Sequence, residues 1–109
     1  MSIAVDLADI PRAIAGQIGW CYLLTVSEDG QARVLAVAPD AQEDGSLRCT
    51  AGRGTLANAA ARPNVTLVFP PATAEAMSLI IDGTATVTDT FIDVAPTWAV
   101  MHRPAIPQT

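Results

Sequence analysis

The segment from residue 46 to residue 69 constrains this chain more than any other. It holds an apolar run at Leu47–Thr50, the loop Gly52-Arg-Gly54, an alanine-rich stretch closed by Pro63, and alternating apolar residues over Asn64–Phe69. This order predicts a strand, a loop, a helix of about eight residues from Thr55 to Arg62, and a second strand, because proline disfavours helical geometry in the residue before it. A helix N-terminus approached through glycines favours a phosphate.

The glycine pattern of this loop admits more than one interpretation. Gly52-Arg-Gly-Thr-Leu-Ala57 matches the G-x-G-x-x-[G/A] pattern of dinucleotide-binding domains. The predicted helix is too short for a full crossover and the chain lacks repeated βαβ units, which excludes that class of domain. Phosphate binding and a tight turn without a ligand remain as alternatives.

Two arginines are candidate phosphate ligands. Arg53 lies between the two glycines at the start of the helix, where the helix dipole favours an anion; otherwise it is a solvated loop residue. Arg33 falls inside the predicted strand Gln31–Val37, whose faces are both apolar. Its guanidinium must therefore reach the rim of the sheet, an acidic partner or a bound anion. Thr55 and Asn58 could cap the helix or bind the ligand, and capping is the expectation for Thr55.

The remaining patterns predict a small antiparallel barrel. A helical stripe, which Asp6 or Asp9 can cap, precedes a β-hairpin with an Asp-Gly turn. A long strand with a bulge or a sharp bend at Gly83 and a last strand interrupted near Pro96 follow later in the chain. The predicted bounds are 6–18 for the helix, 20–26 and 31–37 for the hairpin, 77–87 for the long strand and 91–101 for the last one. Five or six mostly antiparallel strands and two helices indicate one α+β domain over residues 1–109, with the barrel core at about 20–102.

Composition narrows the function. Hydrophobic residues make up 50% of the chain and charged residues 16%, so we expect part of the apolar surface to be covered by a second copy in a homodimer. The net charge of −5 disfavours nucleic acid as a partner. All six basic residues are arginines, which excludes Schiff-base chemistry and a Walker lysine.

The sequence gives little indication of a metal site, a catalytic triad or a membrane-spanning segment. Cys21 and Cys49 lie in strand-like runs, as two buried thiols of a reducing cytoplasm would, and with one histidine they make no zinc site. His102 has no serine in a nucleophile-elbow context, and no pair of carboxylates stands out as an acid/base couple. The start of the chain does not resemble a signal peptide, and the apolar run at 78–81 is too short to cross a bilayer. We therefore expect a cytoplasmic protein, no metal and no catalytic side chain.

These motifs together resemble the FMN-binding split-barrel superfamily, the pyridoxamine 5′-phosphate oxidase-like proteins. The resemblance covers residues 20–89 through Glu28-Asp-Gly30, Arg33-Val-Leu-Ala-Val37, Gly52 to Asn58, Ala61-Arg-Pro-Asn-Val65 and Asp82 to Val87. The ending Pro96 to Pro104 is similar to a short subgroup common in actinobacteria. The resemblance implies a six-stranded split β-barrel with two short helices, usually dimeric, with a flavin between the subunits.

By position, the resemblance implies that Arg33 and a loop of five residues hold the flavin phosphate, with Asn58 beside them. The five loop residues are Thr50, Gly52, Arg53, Gly54 and Thr55. Thr55 stands where the family usually has a basic residue. Three explanations follow from this departure: Arg53 restores the missing charge, the pocket has lost FMN, or the pocket accepts the deazaflavin F420 instead. The implied function is hydride transfer to a small-molecule substrate by bound FMN or F420. The alternatives are a non-catalytic flavin-binding module and a degenerate barrel that acts as an interaction protein.

Overall fold

The computed structural model describes residues 2–103. Met1 and residues 104–109, including Pro104 at the end of the last motif, lie outside the described residues. A 3-10 turn at Leu7–Asp9 leads into the helix α1 (Ile10–Ala15), and the second helix is α2 (Arg53–Ala61). The strands are β1 (Ser2–Ala4), β2 (Cys21–Val26), β3 (Ala32–Val37), β4 (Asp40–Ala41), β5 (Leu47–Thr50), β6 (Asn64–Phe69), β7 (Ser78–Thr88) and β8 (Phe91–His102).

All the strand pairs are antiparallel, in the order β3-β2-β6-β7-β8-β5-β4. The long strand β8 pairs along one edge with β7. Its other edge pairs with β5 at one end and with β1 at the other. Within residues 2–103 no pairing joins β3 to β4, so the curled sheet stays open between them. The predicted α+β class with a mostly antiparallel sheet is confirmed.

One face of the curled sheet forms the core. The alternation of buried and more exposed positions along β2, β6 and β7 follows the period of two that a half-buried strand requires. Cys21 and Cys49 belong to this core, and burial raises the pKa of the Cys21 thiol to about 12 and that of Cys49 to about 11. The largest fully enclosed side chains are Phe69, Ile10, Leu23, Leu47, Leu67, Leu79, Ile81 and Ile92.

The predicted bulge at Gly83 is present and has a steric cause. Asp82 pairs with Trp98 while Gly83 pairs with Pro96, so β8 carries one extra residue there. A Cβ atom added to Gly83 would lie 2.5 Å from Val94 Cγ1 and 2.7 Å from the Ala95 carbonyl oxygen. Only glycine allows β7 and β8 to approach so closely.

Several predicted boundaries were wrong. Within residues 2–103 the sheet has eight strands rather than six, because β1 and β4 are too short to leave a periodic pattern. Helix α1 covers only Ile10–Ala15, and neither Asp6 nor Asp9 caps it with its side chain. Strand β8 runs through Pro96 without a break, although its pairing with β7 shifts register between Pro96 and Trp98.

Candidate functional site

The first turn of α2 has free hydrogen-bond donors. The helix begins at Arg53 with Gly52 as its N-cap, two residues before the predicted start. The first N–H to bond within the helix is that of Leu56, which donates to the Gly52 carbonyl at 3.0 Å. The N–H groups of Arg53, Gly54 and Thr55 have no partner within the helix, and among the described residues no N-cap side chain bonds to them. The predicted capping by Thr55 is wrong, since Thr55 is the third helical residue.

Folding alone does not require the two glycines of this turn. Gly52 has a φ of −76°, which any residue adopts, and a Cβ atom added to Gly52 or Gly54 would meet nothing within 4 Å. Gly83 is different, since the neighbouring strand leaves no room for a side chain there. The open space at Gly52 and Gly54 lets a ligand approach the backbone of the first turn closely.

Arg33 lies where the apolar core face of β3 ends. Val37 and Leu35, on the same face of the strand, are buried and half-buried, and Arg33 is exposed. Across the hairpin Arg33 pairs with Thr25 of β2, whose side chain is 1% exposed. Arg33 therefore lies at the exposed end of this face, the mouth of the barrel, and the rim was one of the three alternatives predicted for its guanidinium.

Helix α2 places a polar stripe beside this mouth. Asn58 Nδ2 donates to Thr25 Oγ1 at 3.5 Å, which connects the helix to the residue opposite Arg33. Thr55, Asn58 and Arg62 are spaced by three and four residues, so they share one side of the helix, and all three are half-buried. The structure thus brings Asn58 and Arg33 to the same buried threonine.

Arg62 belongs to this stripe and was not predicted. Its Nε donates to the carbonyl oxygen of Val26, the last residue of β2, at 2.6 Å. The spacing of Thr55, Asn58 and Arg62 was the available signal. It could be interpreted only once a strand was known to run beside that side of the helix.

The predicted site residues form two groups. Thr50, Gly52, Arg53, Gly54 and Thr55 surround the start of α2, where Thr50 is the exposed last residue of β5. Arg33 and Asn58 meet at Thr25. Five residues separate Arg53 from Asn58, which corresponds to a rise of about 7.5 Å along the helix. The two groups therefore lie within the reach of one ligand the size of a nucleotide.

The charges of the site are not neutralised by carboxylates. The ion pair within residues 2–103 joins Arg48 Nε to Asp93 Oδ1 at 2.8 Å, away from Arg33, Arg53 and Arg62. Asp29 lies in the hairpin turn near Arg33. A hydrogen bond from Ser27 chiefly lowers the pKa of Asp29, and the Arg33 charge contributes less.

Other chemistry is not assembled in the described residues. No group of three or more His, Cys, Asp or Glu in residues 2–103 could hold a metal ion. His102 Nδ1 lies 3.3 Å from Ser2 Oγ where β1 meets β8. Two clefts of about 380 and 520 Å³ are lined partly by the N-terminal segment, and neither contains a predicted site residue. Neither helix of the described chain has the length and apolar character that a bilayer crossing requires.

The outer face of the sheet exposes several large apolar side chains, on either side of the polar pair Thr66 and Asp82. Trp20, Tyr22, Val34 and Trp98 each expose between 38% and 57% of their surface. The rings of Trp20 and Tyr22 meet edge to face, with centroids 5.0 Å apart. The strand register places Tyr22, Val34 and Trp98 on the side of the sheet opposite the core. We call these four residues the outer apolar face.

Comparison with known proteins yields both sequence relatives and structural neighbours. No family model matches the chain. Uncharacterized proteins of Mycobacterium bovis and Mycobacterium tuberculosis are each 32% identical over 121 residues, covering 96% of this chain and 84% of each relative.

Three solved structures have a similar fold. A Listeria innocua protein, provisionally described as a pyridoxamine 5′-phosphate oxidase, has a TM-score of 0.71 at 17% identity, over 88% of this chain and 98% of its own. An FAD-binding protein of Mycobacterium smegmatis has a TM-score of 0.65 at 16% identity, over 94% of this chain and 100% of its own. A structure named F420 reductase has a TM-score of 0.60 at 20% identity, over 81% of this chain and 94% of its own. At these identities the structures show the fold alone.

Proposed function

The chain belongs to the same family as the two mycobacterial relatives and has the fold of the three solved structures; from this premise we propose that it is a member of the FMN-binding split-barrel superfamily, the pyridoxamine 5′-phosphate oxidase-like proteins, that it binds FMN or F420 and that it acts as an oxidoreductase. The observation that carries the proposal is the uncapped first turn of α2, with open space at Gly52 and Gly54. Free N–H groups and a nearby guanidinium form the donor set that a phosphate prefers.

The residues of the site fit a phosphorylated cofactor. The N–H groups of Arg53, Gly54 and Thr55 would donate to phosphate oxygens, with the Arg53 side chain beside them. Arg33 would approach from β3, Thr50 would lie at the entrance from β5, and Asn58 would fix the helix against Thr25. Each charge-assisted bond of this kind contributes about 1.5–3 kcal/mol.

A bound flavin or deazaflavin would supply the hydride transfer itself. The chain's part is to hold the phosphate and to exclude water from the ring. When the cofactor carries out the hydride transfer and the chain only binds it, no acid/base pair of side chains is needed. It therefore agrees with a site built from arginines, backbone amides and small polar residues.

The proposal includes a homodimer with the cofactor site at its interface. The outer apolar face supports this part, because apolar exposure on one side of a sheet marks a surface that another protein covers. A stable interface buries about 800 Å² on each partner, roughly an eighth of the 6442 Å² that this chain exposes. A second copy would also shield the ring of a cofactor whose phosphate lies at the barrel mouth.

Absorbance and fluorescence titration of the purified protein with FMN, riboflavin and F420 tests this function. We expect saturable binding of FMN or F420, with riboflavin weaker than FMN because it lacks the phosphate. Reduction of the bound cofactor, followed by transfer to an acceptor, would distinguish the oxidoreductase from a non-catalytic flavin-binding module. Failure to bind all three would favour a degenerate barrel that acts as an interaction protein.

A further inference from the structure

We propose that the free edge of β3 pairs with the same edge of a second copy of this chain, antiparallel and centred on Val34. This contact is separate from the outer apolar face, so it goes beyond the homodimer of the proposed function. It follows from the strand order, from the hydrogen-bond pattern of the β2–β3 hairpin and from the symmetry of the residues along the edge.

Strand β3 ends the sheet with an edge that no described strand covers. It is last in the strand order and pairs only with β2. Within residues 2–103 it is the longest strand with an entirely free edge, since β3 has six residues, β1 three and β4 two. Four of its six residues are exposed, and Val34 exposes 57% of its surface. A long edge of this kind is a template for a further strand.

The hydrogen bonds of the hairpin show which backbone groups of β3 point outward. The N–H of Ser27 donates to the carbonyl oxygen of Gln31 at 2.9 Å, and bonded positions alternate along an antiparallel pair. Two residues further along β3, Arg33 is therefore the next to bond to β2. The residues between the bonded positions direct their N–H and C=O groups to the free edge; they are Ala32, Val34 and Ala36.

These outward-facing residues are symmetric about Val34. Antiparallel pairing about a two-fold axis at Val34 places valine against valine, and each Ala32 against the partner's Ala36. Each of these residue pairs then exchanges two backbone hydrogen bonds. A two-fold contact between identical chains requires such self-complementarity. For this reason we infer a second copy, rather than a strand of another protein, as the occupant of the edge.

The side chains of β3 do not obstruct this pairing. Natural sheets protect exposed edges with lysine, proline or a bulge, and β3 contains none of these. Its one charged residue, Arg33, lies on the core side of the strand, where this register sets it against the partner's Leu35. Centring the pairing on Arg33 instead would place two like charges directly opposite each other, which is destabilising.

The contact is small, which determines what it can hold together. One strand edge buries less than the about 800 Å² that each partner of a stable interface buries. We therefore expect it to join copies that the outer apolar face already holds as dimers, and to pair copies without that contact only transiently. Because the edge and the outer apolar face are different surfaces, together they can build a tetramer from two dimers.

Disulfide trapping tests the pairing residue by residue. At the centre of the contact the two Cα atoms of residue 34 would lie about 5.5 Å apart, a separation that a disulfide spans. We expect Val34→Cys to form disulfide-linked dimers under mild oxidation at least tenfold faster than Ala36→Cys. Ala36→Cys is the matched control, because it is exposed on the same side of the same strand, while its two copies would lie about 13 Å apart along the strands. Cys21 and Cys49 are buried and should not compete.

A background without the outer-face contact separates the two surfaces. Val34 also belongs to the outer apolar face, so a cross-link would also form if two outer faces brought the Val34 residues together. Trapping captures transient pairs, so Val34→Cys combined with Trp98→Glu should still cross-link at least tenfold faster than Ala36→Cys in the same background.

Sedimentation velocity over a concentration series gives a second readout. The unaltered protein should form tetramers at high concentration. Ala36→Pro removes one outward-pointing N–H without removing a bond to β2, so this variant should stop at dimers, whereas Ala36→Ser keeps the N–H and should still form tetramers. Circular dichroism verifies the folding of each variant.

Three outcomes would overturn the inference. Cross-linking of Val34→Cys no faster than that of Ala36→Cys would mean that the edges do not pair about Val34. Loss of the cross-link in the Trp98→Glu background would assign it to the outer apolar face. Absence of tetramers from the unaltered protein, or their persistence in Ala36→Pro, would mean that this edge does not join the dimers. None of these experiments measures cofactor binding, so the proposed function is tested separately by the titrations with FMN, riboflavin and F420.

Discussion

Replacing Gly54 with alanine should make the protein more stable and its cofactor binding weaker. Gly54 is the second residue of α2, and an added Cβ atom would meet nothing within 4 Å. Alanine is favoured over glycine in a helix by about 0.5–1 kcal/mol, which corresponds to a rise in Tm of about 2–8 °C for a domain of this size. The protein without cofactor should therefore melt at a higher temperature.

The same methyl group should obstruct a ligand on the first turn. A phosphate oxygen must come within about 2.9 Å of a backbone nitrogen to accept its proton, and the new Cβ atom fills the space beside that nitrogen. Losing one charge-assisted bond of about 1.5–3 kcal/mol weakens FMN by roughly 10- to 150-fold.

Differential scanning fluorimetry measures the first effect of Gly54→Ala, and FMN titration measures the second. Gly19→Ala is the control, because Gly19 also has open space around it but lies in the loop before β2. An alanine variant at position 54 that is more stable and binds FMN as before would refute the placement of the phosphate on this turn.

Three further predictions concern the frame around the site. Gly83→Ala should destabilise the chain by about 1–3 kcal/mol in urea unfolding, because its Cβ atom collides with the backbone of β8; an unchanged midpoint would contradict this. The Cys21 thiol should resist a disulfide reagent at pH 8 until the chain unfolds. Because burial raises its pKa, the stability it contributes should be lost as pH rises from about 9, where the unfolded thiol ionises, towards 12, a loss that Cys21→Ala should reduce. Trp98→Glu should yield monomers in light scattering, whereas Leu7→Glu, equally exposed but outside the outer apolar face, should not.

Local patterns along the chain predicted most of the fold. The hairpin, the strand Asn64–Phe69 and the bulge at Gly83 were predicted correctly, because each depends on a turn, an alternation or a glycine that is visible within a few residues. The predicted fold is confirmed as well, because solved structures described as a pyridoxamine 5′-phosphate oxidase, an FAD-binding protein and an F420 reductase share it. The short strand β1 was missed because it pairs with β8, about 100 residues away, and β4 was missed because it has only two residues.

The site was predicted only as far as local patterns reach. The glycine loop indicated free donors at the start of α2, but the helix begins at Arg53, so Thr55 cannot be its cap. The contact between Asn58 and Thr25 joins residues 33 positions apart, and no local pattern near either residue predicts it. Pairing of this kind follows from the order of strands in the sheet, which hydrophobic periodicity does not determine.

The six arginines show what tertiary structure adds to a charge count. The sequence singles out Arg33 and Arg53 by their positions but does not show which arginines are neutralised, and the net charge of −5 argues only against a polyanion as partner. The fold distinguishes them by their partners. Arg48 is neutralised by Asp93, whereas Arg33, Arg53 and Arg62 have no carboxylate of residues 2–103 within ion-pair distance. An acidic protein repels an extended polyanion over its whole surface, but a local group of cations still attracts a single small dianion, because screening in physiological salt limits each field to about 8 Å. Under the proposed function, the cations near the start of α2 would attract one compact phosphate group, whereas the acidic chain as a whole would repel a nucleic acid.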